Sequence, residues 1–308
     1  MTEAEKLLSR LSAKADTITG AIEKRQAALD RRLIGLEVDL FRALQDDLFG
    51  RLRTEGGRLV TSKENLLLLL RIDAVFEQFT REISRGILRD FALDLLAIAR
   101  MTGEMYKGEG PEALLAEIAQ NNTVLRAAIG IDENGTVVPG SVLFEVSQAN
   151  QVRQDVKKVV LQAINRGMTL REFGTALRNY VVSTAAADGR LKRHWRTYAY
   201  DIFNQAAEIK NEQFRQGLGL EWFIYVGDVI KDSRTFCRKK AGKVFAVVEA
   251  DREWPKDPDL IGKTSGIPYV PRIDRGRWNC RHRIRYITED MAAQLDAAKV
   301  ERIKQKYG

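Results

Sequence analysis

Apolar residues recur in steps of three or four through most of the first hundred positions. Leu7, Leu11, Ile18, Ile22, Leu29, Leu33, Leu36, Leu40 and Leu44 are interleaved with Lys, Arg, Asp and Glu, which is the stripe of a long amphipathic helix. Phe76, Phe79, Ile83, Ile87, Phe91, Leu95 and Ile98 share one face of a second helix of about seven turns. Gly50, Gly56 and Gly57 interrupt the first pattern, and residues 101–110 interrupt the second. Pro111 then starts a short helix, where its missing N–H would have no partner in any case.

Around Asp132 the pattern changes. Asn134-Gly135 sits between the β-prone runs 128–131 and 136–138, the signature of a tight hairpin. Residues 1–130 are therefore read as a helical docking and assembly region, 131–149 as a hairpin linker, 150–288 as a second domain and 289–308 as a terminal helix. Within the second domain a helix is expected from about 147 to Gly167, a C-cap. Thr169 and Glu172 form a capping-box pair that starts the next helix, and a third spans about 191–216 and stops at Gly217 and Gly219. Residues 222–226, 244–248 and 283–287 are rich in aromatic and β-branched residues and read as strands. Residues 251–271 hold Pro255, Pro258, Pro268 and Pro271, four of the six prolines, in a long loop. The expected class is α+β: an extended, mostly helical N-terminal region, then a small C-terminal α+β domain of helices followed by a small sheet with a long Pro-rich loop.

Composition narrows the function classes. With 44% hydrophobic and 30% charged residues, the chain has a globular composition, not a disordered one. No apolar run is longer than that at residues 66–70, far short of the roughly 20 residues that cross a bilayer, so no membrane span is expected. The start, M-T-E-A-E-K, is charged and has no apolar core behind it, so folding in the cytoplasm is expected. Of the net charge of +8, residues 228–288 supply +7, from 15 Lys or Arg against 8 Asp or Glu. Such a local excess attracts a polyanion through phosphate neutralisation and counterion release; a solvated basic face is the plainer alternative.

Candidate chemistry is sparse. Cys237, Cys280, His194 and His282 are numerically enough for one tetrahedral zinc, but nothing local brings His194 to the others. Two reduced thiols packed as small hydrophobes are the preferred reading; zinc on Cys237, Cys280 and His282, or a disulfide, are the alternatives. A Cys280–His282 nucleophile pair lacks an oxyanion site. Asp228 and Asp232, near Lys231, Arg234 and Lys243, suit a divalent ion, although Asp-Ser-Arg-Thr reads more readily as a turn in which Arg234 pairs with a carboxylate. There is no Walker phosphate loop, dinucleotide-binding glycine fingerprint or zincin motif, and no catalytic residue or cofactor is assigned. Trp195, Tyr198 and Ile202 fall at helical spacing and are read as core in preference to a base-stacking platform. Arg277, Arg281, Arg283 and Arg285 form an odd-numbered ladder whose repulsion calls for an anionic partner or interleaved acids. With Arg238, Lys239, Lys240 and Lys243 they are the candidate contacts to the phosphates of double-stranded DNA, without base reading.

Two segments go together. D-S-R-T-F-C-R-K-K-A-G-K-V-F (232–245) and R-W-N-C-R-H-R (277–283) resemble the signature of the phage head morphogenesis family typified by the F protein of phage Mu. The residues that carry the resemblance are Asp232, Arg234, Thr235, Cys237, Gly242, Lys243, Asn279, Cys280, Arg281 and His282. The helix-turn-helix at 159–177, the helix 196–208 with its central Asn204, and the strand leading to Asp228 are similar in order, so the resemblance covers about 150–288. This chain has Cys280-Arg281-His282 where many members end in Cys-Arg-Cys. The resemblance implies a minor head protein in the virion, made in the host bacterial cytoplasm and associated with the portal or inner capsid. It would act in head assembly, DNA packaging or DNA delivery and would not be an enzyme. Portal, major capsid or scaffolding proteins are the implied partners, and the N-terminal helices are the expected docking or oligomer surface. The rivals are a nuclease or toxin-like transferase carried in the virion, and an adaptor that binds only protein.

Overall fold

The computed structural model describes residues 2–262 and 269–308, and residues 82–85 by their backbone alone. It is 70% helical, with a long N-terminal helix and a small three-stranded antiparallel sheet towards the C-terminus, an α+β fold. Helix α1 (Glu3–Leu48) leads into the short strands β1 (Thr54–Glu55) and β2 (Arg58–Leu59). Then come α2 (Lys63–Arg85), α3 (Ile87–Gly103), α4 (Glu112–Gln120), α5 (Thr123–Ile129), α6 (Val142–Gln148), α7 (Asn150–Asn165), α8 (Leu170–Val181) and α9 (Arg190–Leu218). Strand β3 (Trp222–Val226), α10 (Thr235–Lys240), β4 (Val244–Ala246), α11 (Val247–Glu253), α12 (Pro271–Asp274), β5 (Arg283–Ile287) and α13 (Glu289–Tyr307) follow.

Two compact units share the chain. One gathers Met1–Lys24, Asp94–Ala128 and Tyr200–Gly308; the other gathers Arg25–Leu93 and Ile129–Ala199. The sequence suggested a linear division near 130 and 150, whereas each unit takes pieces from both sides of that point. The stripe along α1 is buried within the chain at Leu7, Leu11, Ile18, Ile22, Leu29, Leu33, Leu40 and Leu44, which removes it as a free docking face. Apolar side chains left exposed on the N-terminal helices include Leu67 and Leu70 of α2 and Leu93 of α3.

In the unit built on residues 25–93 and 129–199, Trp195 is fully buried and packs edge-on to Phe91 at 5.9 Å, so it is core as expected. Glu37 is buried on the apolar side of α1 but accepts hydrogen bonds from the Ser183 N–H at 2.8 Å, the Ser183 hydroxyl at 2.5 Å and the Lys192 N–H at 2.8 Å. These bonds replace the water that burial removed. The predicted capping box is present: the Glu172 N–H donates to Thr169 Oγ1 at 3.2 Å, and the Thr169 N–H donates to the Glu172 carboxylate at 2.8 Å.

In the other unit the sheet order is β4-β3-β5, all antiparallel. Every residue of β3 is buried, and the period of two sorts them. Trp222, Ile224 and Val226 pack with Leu7, Leu11, Ala15, Val300 and Ile303 in one apolar core. Phe223 and Tyr225 point to the opposite face. There Trp254 meets Phe223, Tyr225, Phe236 and Phe245 edge-on at 5.3–5.6 Å. Offset and edge-on aromatic contacts of this kind add to the area they bury.

Several boundaries differ from expectation. The seven-turn helix is two helices, broken at Gly86, a residue with weak helix propensity; the side chain of Ile83 lies outside the described residues, as does Pro268. The hairpin at Asn134-Gly135 is reduced to one bridge, Ile131 to Val137, with Gly135 at φ 81°, because α5 runs through residues 128 and 129. The helix expected from 147 to 167 is α6 and α7, meeting at Ala149 in the left-handed region. β4 ends at Ala246 and α11 takes over, extending helix into the expected loop. Among the described residues no helix is long and apolar enough to cross a membrane.

Candidate functional site

The two motif segments meet beneath β3. From the turn after that strand, α10 presents Cys237 inward, while residues 275–282 return along the same side with Cys280 and His282. Ser233 closes the turn: its hydroxyl accepts from the Ile230 N–H at 2.9 Å, and Arg238 spans it by donating to the carbonyls of Ser233, Ile230 and Lys231. The Asp-Ser-Arg-Thr segment is thus turn chemistry, with one correction. Arg234 pairs not with a carboxylate but with two backbone carbonyls, those of Gly276 at 2.8 Å and Trp278 at 2.5 Å. Its planar fork fits such a pair of acceptors, which the point charge of lysine does not.

The returning segment is unusual. Arg275, Arg277 and Asn279 all have positive φ, at 50°, 65° and 57°, conformations that cost non-glycine residues roughly 1–3 kcal/mol each unless the surroundings hold them. The surroundings do so. Arg275 donates to the His282 carbonyl at 2.8 Å, and Tyr269 to the Arg275 carbonyl at 2.5 Å. The Asn279 N–H donates to Asp201 Oδ1 at 2.9 Å. Gly242, another motif position, has φ 74° and donates its N–H to the Tyr225 carbonyl at 2.8 Å, turning the chain from α10 into β4. Most motif residues whose role is legible here are devices that hold this segment.

At the centre, the Cys237 and Cys280 sulfurs lie 3.9 Å apart. The Tyr225 hydroxyl is 3.5 Å from the first and 3.2 Å from the second. His282 stacks parallel on the Tyr225 ring at 5.0 Å. Ligand atoms of Cys237, Cys280 and His282 all fall within 4.8 Å of one another, and this is the one such group of Cys, His, Asp or Glu found among the described residues. Asp228 and Asp232 therefore belong to no comparable cluster, and His194, which contacts the Val146 carbonyl at 2.9 Å, is elsewhere.

Burial dominates the electrostatics. The two thiols titrate as a pair. The hydrogen bond from Cys237 holds the Cys280 thiol well below its usual range, with help from His282 and the Arg275 guanidinium, and the same bond raises Cys237. Burial pushes Asp201 up to about 6, and its Oδ2 is a buried oxygen without a hydrogen-bond partner. Burial also raises Glu208, against Arg275 and Arg283, which both lie 3.3 Å from Glu208 Oε1.

The arginine ladder is resolved by interleaved acids. Arg283 is buried on Glu208, Asn204 at 2.8 Å and the Thr19 hydroxyl at 3.1 Å. Arg285 is fully buried; it donates to Glu109 and the Met105 carbonyl and lies over the Tyr106 ring at 4.3 Å. These two side chains are thus withdrawn from any phosphate. Strand β5 begins only at Arg283, and Arg277 is half-buried against Gly262 and Tyr269. Lys239 pairs with Asp259 and Lys240 with Asp257. Arg238, Lys239, Lys243 and Arg281 remain exposed.

Sequence reasoning missed Asp201, Glu208 and Tyr225. The signal for the first two was present: Asp201, Asn204, Glu208 and Asn211 recur at steps of three and four and are all buried on α9, a polar stripe inside an otherwise apolar helix face. No family model matches the chain, and neither a curated protein nor a solved structure matches it.

Proposed function

We propose that the chain is a phage minor head protein that acts in head morphogenesis, DNA packaging or DNA delivery at the portal or inner capsid. One observation carries the reading beyond the sequence resemblance. The two motif segments, 43 residues apart at their cysteines, close on each other through Arg234 and the paired sulfurs. Motif positions that build a single clamp fit a domain kept for its architecture. They fit a catalytic centre less well, because Arg234 is already bonded to backbone carbonyls and, among the described residues, Asp228 and Asp232 stand in no ligand cluster.

Contact with packaged DNA, in this reading, falls to the exposed Arg238, Lys239, Lys243 and Arg281, through phosphates. The internal pairing of Arg283 and Arg285 favours a second reading, an adaptor that touches only virion proteins such as the portal. Deleting the gene from the phage that carries it tests the main proposal. Heads that assemble abnormally or fail to fill are expected. Normal, infectious particles from the deletion would overturn it.

A further inference from the structure

We infer that Cys237, Cys280 and His282 are the protein ligands of a zinc ion. This goes beyond the head-protein reading and stands or falls separately from it.

Three observations converge. First, sulfurs bonded to one tetrahedral zinc at about 2.3 Å lie roughly 3.8 Å apart, and these lie 3.9 Å apart without any disulfide between them. Second, His282 is 2% exposed, one of its ring nitrogens lies within 4.8 Å of both sulfurs, and its Nε2 has no hydrogen-bond partner; an imidazole this buried is costly to leave incompletely paired, and metal coordination is one way of satisfying it. Third, Gly276 forms a cradle over the sulfurs: a Cβ there would lie 2.5 Å from Cys237 Sγ, 3.1 Å from Cys280 Sγ and 3.3 Å from the Tyr225 hydroxyl. The backbone comes close to the sulfurs only because this residue has no side chain.

Thiolate and imidazole donors select zinc over magnesium or calcium. The surroundings supply what such a set needs. The Tyr225 hydroxyl lies 3.5 Å and 3.2 Å from the two sulfurs, close enough to donate to them once they are thiolates, the kind of support that orients ligands and tunes a metal. His282 is fixed by its stacking on the same tyrosine. Binding replaces the thiol protons with the metal, so two protons leave as two Zn–S bonds form, and no oxidant or reductant is involved.

The test uses the full chain, purified under reducing, oxygen-free conditions, stripped with a chelator and titrated with Zn(II), and with Co(II) as a spectroscopic substitute. One equivalent of zinc is expected, with Co(II) giving tetrahedral d–d bands and a thiolate charge-transfer band. Cys280→Ala and Gly276→Ala should each lose the stoichiometric metal; the second leaves every ligand in place. Tyr225→Phe should weaken zinc about tenfold while retaining the spectrum. The wild-type titration keeps the inference testable if a variant does not fold. A wild-type chain that takes up no equivalent of zinc would overturn it. So would zinc retained by Cys280→Ala, or a Co(II) spectrum without thiolate charge transfer.

Discussion

Arg283 and Glu208 approach to 3.3 Å in a region almost wholly shielded from water, and Arg275 shares the same carboxylate oxygen at the same distance. Two guanidinium groups thus depend on one anion. Removing it by Glu208→Ala leaves both buried without their ion-pair partner, which should cost about 3–5 kcal/mol. Urea unfolding of the full chain measures this as a lower midpoint. Glu3→Ala, which removes an exposed partner of Lys6, should change stability by less than about 1 kcal/mol.

Arg234 holds residues 276 and 278 with two charge-assisted bonds. Arg234→Ala should lose about 2–4 kcal/mol, counting each bond to a charged donor at roughly 1.5–3 kcal/mol less water's partial replacement. Arg234→Lys should recover only part of that, since an ammonium group does not span both carbonyls. Equal stability of the lysine variant and the wild type, in the same urea series, would contradict the clamp.

Asp201 links stability to pH. Its carboxyl is raised by burial to about 6 from an ordinary 3.8, so between those values the folded chain holds a proton that the unfolded chain has released. Stability from this group is fully present below about pH 4 and is lost as pH rises through about 6, by roughly 3 kcal/mol. Asp201→Asn keeps an acceptor for the Asn279 N–H and should flatten this descent, with a higher unfolding midpoint than the wild type at pH 7. A variant with the same pH profile as the wild type would show that Asp201 is not the group responsible.

Much of the fold was legible because its signals are local. The stripe of α1, the Thr169–Glu172 cap, the strands at 222–226 and 283–287 and the stop of α9 at Gly219 each follow from spacing or a single residue's conformational preference. What was not legible depends on partners distant in sequence. Nothing beside Arg285 announces Glu109, 176 residues away, so the periodicity that put Arg283 and Arg285 on one face left open whether that face meets solvent or acid. The zinc and disulfide alternatives both required Cys237 and Cys280 to be near neighbours, and their sulfurs lie 3.9 Å apart. The positive-φ bends at Arg275, Arg277 and Asn279 that bring Cys280 and His282 round to Cys237 occur at residues that do not advertise them.

The surviving basic surface gives a discriminating pair of outcomes. If phosphate contacts run through the exposed residues, Lys243→Ala with Arg281→Ala should lower the slope of log affinity against log salt by roughly two, with folding unchanged. Arg285→Ala should instead destabilise the chain, because Glu109 loses its buried guanidinium partner and the Met105 carbonyl keeps only its bond from Lys14. Fluorescence anisotropy with a random-sequence duplex across a salt series reads the first, and urea unfolding the second. No measurable DNA binding at low salt would leave the protein-only adaptor.

The proposed head-protein role is tested most directly by a mass-spectrometric inventory of purified heads, before and after DNA filling, from a phage in whose genome this gene is found. A minor head protein should appear in the heads in far fewer copies than the major capsid protein and should be absent from heads made without its gene. Its absence from heads at both stages, with the chain recovered only in the soluble fraction, would contradict the head-protein reading.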